Sequence, residues 1–187
     1  MSDETFSADR ALLPHLVPEF MTWLWFASER DGGSVLLSEE LGRIDYWVDD
    51  RIAFRDMDSD KPRAVMTGEN PSTSPEARAA LAGGKVLREL RLVMRREDRE
   101  FYVTLKGPHL DIQGVKLPQM IKGAAEEVMY DRMALYEELH FMLTGMLKRF
   151  SVERTSDAWA ESTLPAMRAW VGGARASSAV DTGDDAA

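Results

Sequence analysis

Cysteine is absent from the 187 residues, which removes disulfides, thiolate metal sites and cysteine nucleophiles together and fits a reducing compartment. Histidine is scarce. His15, His109 and His140 are the three present, and they lack the His-Glu-x-x-His spacing that sets two imidazoles and a base on one helical face, so no metal site is expected. No run of 18 apolar residues occurs, and the acidic opening Met1-Ser-Asp-Glu-Thr leads into no apolar signal segment. Neither a membrane span nor secretion is expected, and the chain is assigned to the cytoplasm. No Gly-x-Ser-x-Gly elbow exposes a serine nucleophile, and Gly83-Gly84-Lys85 is followed by Val86 with no glycine five positions before Gly84. A phosphate loop needs both the hydroxyl and the turn, so no nucleotide site is expected there. The carboxylates between Asp45 and Asp60 lack the Asp-x-Asp-x-Asp-Gly order of a calcium loop and read as solvated charge. No cofactor and no catalytic residue are expected. Positive charge is also in deficit: 23 basic against 32 acidic residues give a net charge of -9, which excludes a uniformly basic nucleic-acid surface and leaves only a local patch.

What is present is an ordinary globular composition, 44% hydrophobic and 29% charged, of a length that supports one core. The expected organisation is a flexible N-terminus over 1–15, a single α+β domain over 16–171, and a small, polar, acidic tail over 172–187 too poor in apolar surface to order itself. Glu19–Arg30 carries Phe20, Trp23, Leu24 and Phe26 at helical spacing after Pro18 and predicts a short aromatic helix. Arg43–Val48 and Arg51–Phe54, separated by Asp49-Asp50, predict a hairpin, with Ala64–Thr67 pairing beside it. Ser74 before Pro75-Glu76-Ala77 predicts a capped helix that Gly83-Gly84 ends. Val86–Met94 and Phe101–Lys106 predict a second hairpin around the turn Arg96–Arg99, followed by a short strand over Asp111–Leu117. A long helix from Gly123 to Phe150 is predicted from the stripe Val128, Met129, Leu135, Tyr136, Leu139, Met142, Leu143, Met146, Leu147 and Phe150, and a last short helix from Ser162 to Gly172. The fold class is thus α+β: an antiparallel sheet of hairpins packed against a long C-terminal helix.

Charge is distributed unevenly. Ser28–Asp60 holds ten carboxylates against four arginines, whereas Gly84–Lys122 holds nine lysines and arginines against five carboxylates. In the second hairpin, period-two alternation sends Leu90, Leu92, Met94, Phe101, Val103 and Leu105 to the core. The opposite face carries Glu89, Arg91, Val93, Arg95, Tyr102, Thr104 and Lys106. Arg91, Arg95 and Lys106 around Tyr102 are candidates for phosphate contact; a solvated face with Glu89 and Glu100 as cross-strand partners is the competing reading. Trp23, Trp25 and Phe26 crowd more than one helical face, which places at least Trp25 against another domain or chain. Met129, Met133, Met142 and Met146 read as packing groups.

The opening Phe20-Met-Thr-Trp23, Gly68-Glu69-Asn70-Pro71, the capped Ser74-Pro75-Glu76-Ala77 helix, Gly84-Lys85-Val86, Glu89-Leu-Arg-Leu92, Phe101-Tyr-Val-Thr-Leu105 and the long terminal helix together resemble the C-terminal half of the recombination-associated RdgC family, over roughly Phe20 to Phe150. The resemblance implies an α+β protein without cofactor or catalytic residues that binds double-stranded DNA with little sequence preference, as a homo-oligomer or with a companion subunit, in the nucleoid. By position it implies Lys85, Arg88, Arg91, Arg95, Tyr102 and Lys106 as DNA-binding residues. The alternatives are a protein-interaction module of the same fold that uses its Met-rich and Trp-rich helices, and a hydrolase with catalytic residues dispersed along the chain.

Overall fold

Side-chain alternation builds one antiparallel sheet in the computed structural model, which describes residues 3–39, 42–56, 64–68, 71–119 and 123–174, with side chains from residue 15 onward except residue 71. Among the described residues the strands are β1 (Ser34–Ser38), β2 (Gly42–Arg55), β3 (Ala64–Thr67), β4 (Val86–Arg96), β5 (Arg99–Lys106) and β6 (Asp111–Lys116). Their order is β1-β2-β4-β5-β6, with β3 also paired to β2. The helices are α1 (Asp3–Arg30), α2 (Pro75–Ala82), α3 (Ala125–Arg154) and α4 (Leu164–Val171), the last preceded by a π-helical turn over Trp159–Thr163. The predicted α+β class is the observed one. Most of the acidic tail lies outside the described residues.

The β4–β5 hairpin alternates as its sequence dictates: Leu90, Leu92, Met94, Phe101, Val103 and Leu105 are buried. Onto this face α1 lays Phe20, Met21, Trp23 and Leu24, and the second half of α3, against β1 and α1, adds Leu139, Met142, Met146 and Phe150 to the same core. Phe150 meets Phe20 at 5.3 Å, Trp23 at 5.5 Å and Trp159 at 5.8 Å between ring centroids. Each such side chain contributes about 1.5–3 kcal/mol on leaving water.

Three expectations change. The helix predicted over Glu19–Arg30 starts at Asp3 and runs through both Pro14 and Pro18, although each removes a backbone donor from the helix. Trp25 needs no foreign chain: it is fully buried against Trp170 of α4, edge to face at 4.9 Å. Asp49-Asp50 is not a turn. β2 continues for 14 residues, and the register against β4 passes from Val48↔Leu92 to Ile52↔Leu90, so Asp49, Asp50 and Arg51 together oppose Arg91 in a bulge. The hairpin that does form joins β1 to the first half of β2, while Ala64–Thr67 pairs with Arg51–Phe54 as expected.

Candidate functional site

Arg91, Arg95, Tyr102 and Lys106 do share the outward face of the sheet, as alternation requires, and the strand registers set them in rows. Asp45, Arg95 and Glu100 form one row; Trp47, Val93, Tyr102 and Lys116 form the next. Beyond them Arg91 faces the Asp49-Asp50 bulge, and Glu89 stands beside Lys106, which in turn opposes Asp111.

Arg91, Arg95 and Lys106 each have an anion beside them. Arg91 Nε lies 3.0 Å from Asp49 Oδ2 and its Nη1 3.2 Å from Asp50 Oδ1. Arg95 donates to Asp45 at 3.0 Å, and this contact, together with one from Ser34, holds the Asp45 carboxyl below its ordinary range. Glu89 receives Arg51 at 2.6 Å and stands 3.6 Å from Lys106 Nζ. Tyr102 donates to Glu100 at 3.1 Å, and that hydrogen bond, reinforced by the carboxylate's charge, raises the phenol above its usual value. The remaining candidates sit elsewhere: Lys85, just before β4, lies 3.7 Å from Asp56, and Arg88 turns its guanidinium onto the Gly107 carbonyl at 3.3 Å. The face is therefore a charge-balanced lattice. Phosphate binding draws its free energy from uncompensated cations, and here a phosphate would have to displace carboxylates already in place. In the middle of the lattice Val93 is 1% exposed, covered by its cross-strand neighbours Trp47 and Tyr102, with Arg95 over the Trp47 ring at 5.6 Å and Lys116 over the Tyr102 ring at 5.9 Å.

A second surface is chemically more unusual. Glu127 accepts from the Ala124 N–H at 3.1 Å and caps α3. From Ala125 to Glu137 every residue is exposed except Val128 and Leu135, which are half-buried. Met129 is 52% exposed, Tyr130 58%, Met133 60% and Tyr136 43%. The predicted stripe is real, and it meets the core from the half-buried Leu135 onward; Met129 and Tyr136, members of the same stripe, stand exposed. The helix is anchored at Glu138, itself buried, which accepts from Arg96 Nη1 at 3.0 Å and forms an ion pair with Arg99 Nη1 at 2.7 Å. Those two arginines of the basic segment are thereby spent as an anchor for the helix. Past the anchor, Phe141 and Val152 remain exposed on the outer side of α3. Between that side and β1 runs a groove of about 340 Å³ bordered by Leu36, Leu37, Gly145, Lys148 and Val152.

Sequence reasoning singled out Met129, Met133 and Tyr136 as core or packing groups, and it passed over Tyr130, Phe141, Val152 and the role of Glu138. The available signal was an apolar arc too wide for one buried face. Among the described residues no group of three or more His, Asp or Glu side chains could hold a metal ion, and no helix is long and apolar enough to cross a membrane. No protein-family model, curated protein or solved structure matches this chain.

Proposed function

We propose that this chain is a non-enzymatic, cytoplasmic protein-interaction module whose docking element is the projecting first half of α3. One observation carries the reading: about three and a half turns of helix expose Met129, Tyr130, Met133 and Tyr136 to solvent, with Val128 and Leu135 alone half-buried. An isolated helix of roughly 12–15 residues is marginal in water, and soluble proteins keep contiguous apolar patches of this kind for partners. Methionine and tyrosine are suited to that work, the first by its adaptable shape and the second by its low rotamer cost. A photo-reactive amino acid at Met133 is expected to give protein adducts in cells, while the same group at Trp47 on the charge-balanced face gives none. Absence of adducts at positions 129, 133 and 136 alike would sink the reading.

Duplex DNA binding of the RdgC type is the second reading, supported by the common face of Arg91, Arg95, Tyr102 and Lys106. It requires the ion pairs of that face to open, and a mobility shift by the unaltered chain at moderate salt would bring it forward.

A further inference from the structure

From the geometry of α3 we infer that the partner of the projecting helix is a second copy of this chain, paired antiparallel about a two-fold axis through Phe141. This rests on the interaction reading above and names its occupant.

The helix is self-complementary about that residue. Tyr130 lies eleven residues before Phe141 and Val152 eleven after it; eleven residues are close to three whole turns, so all three side chains lie along one side of the helix. All three are exposed. Turning a second α3 about Phe141 seats Phe141 on its counterpart and each Tyr130 on the other copy's Val152, at both ends of an overlap about 33 Å long. Four residues to either side the same operation sets Glu137 opposite Gly145. Gly145 is where α3 closes on Leu37, whose side-chain carbons stand 3.3–3.5 Å from the position a Cβ would take. Its missing side chain lets Leu37 lie against the helix there, and the groove beside it, bordered by Leu36, Leu37 and Val152, can receive the incoming tyrosine.

Charge selects the same orientation. The projecting half of α3 holds Glu126, Glu127, Asp131 and Glu137 against Arg132, whereas the groove half presents Lys148, its neighbours Arg149 and Glu153 being engaged by Asp31 at 3.6 Å and Arg30 at 2.9 Å. Antiparallel pairing brings Glu137 of each copy within one turn of the other's Lys148, and parallel pairing would stack acid on acid. Such an interface is isologous: the same patch serves both copies and closes on itself.

Because the chain has no cysteine, single introduced thiols report the arrangement without background. Phe141→Cys is expected to form a covalent dimer on mild oxidation, whereas Tyr130→Cys and Val152→Cys alone do not and their equimolar mixture does. Sedimentation of the unaltered chain is expected to give twice the mass of the 187-residue monomer, and Met133→Glu with Tyr130→Glu to return it to one. Self-linking of Tyr130→Cys would overturn the antiparallel axis. A monomeric mass for the unaltered chain, with Met133 still yielding adducts in cells, would overturn the second-copy assignment while leaving the interaction reading in place.

Discussion

Arg96 at the end of β4 donates to Glu138 on α3 across 3.0 Å, joining residues 42 apart in sequence, and Arg99 reaches the other oxygen of the same carboxylate from across the hairpin turn. This is where α3 leaves the body. Hydrogen bonds to a charged group contribute about 1.5–3 kcal/mol each when shielded, and the partial exposure of both arginines lowers that. Glu138→Gln is expected to cost about 1–2 kcal/mol by urea denaturation. Amide exchange over Ala125–Glu137 should accelerate more than exchange in β4, because the anchor holds the helix and the sheet has other support.

The carboxylate lattice makes a prediction about nucleic acid that runs opposite to mutating the arginines. If Asp45, Asp49, Asp50 and Glu89 neutralise Arg91, Arg95 and Lys106, then Asp→Asn at 45, 49 and 50 combined with Glu89→Gln should create binding to duplex DNA with a steep salt dependence. The unaltered chain should show little binding at moderate salt. Equal mobility shifts for the two proteins would mean that the ion pairs mask nothing.

Acid sensitivity should centre on Glu153. Burial acts to raise its pKa, but hydrogen bonds from Arg30 and Thr163 outweigh it and hold the carboxyl below its ordinary 4.5. Arg30, despite its own burial, is kept charged by Asp31 and Glu153 at 2.8 and 2.9 Å. A lowered folded-state pKa means that the unfolded chain takes up the proton first as pH falls. The stabilisation is complete above 4.5 and disappears as pH drops through the folded value beneath it. Denaturation midpoints measured against pH should therefore fall on the acid side, and Glu153→Gln should flatten that limb while lowering the plateau at neutral pH.

Glu29 accepts from the indoles of Trp25 and Trp170, each at 2.9 Å, and from Arg78 at 2.9 Å. Trp170→Ala removes a fully buried ring and should cost about 3–5 kcal/mol. Trp170→Phe keeps most of the ring and loses the donor, for about 1 kcal/mol. A double-mutant cycle with Glu29→Gln checks the division, since the Phe variant and the Gln variant should be less than additive.

The sheet's faces were legible because alternation with period two needs nothing beyond the strand itself: Leu90, Leu92 and Met94 could go nowhere else. The ends of α2 and α4 were legible for the same local reason, with proline at the start and glycine at the stop. Asp49-Asp50 misled because two aspartates between β-branched runs have the composition of a turn, and only the opposing Arg91 makes them a bulge. The exposure of Met129 and Tyr136 was hidden since periodicity states which side of a helix is apolar and not whether anything lies against it. Alternation set Arg91, Arg95 and Lys106 on one face, while Lys85, Arg88, Arg96 and Arg99 lie elsewhere; the compensation was not visible, as Asp45, Asp49 and Asp50 reach that face from a strand some forty residues upstream.

The contact between Trp25 and Trp170 ties the order of synthesis to the order of burial. α1 is synthesised well before the Trp170 ring that packs on its Trp25 and Phe26. Until α4 has been made, the nascent chain carries Trp25 and Phe26 without the ring that packs on them, the kind of surface that recruits chaperones. Emergence of α4 is therefore the step at which that aromatic surface is closed from within the chain itself.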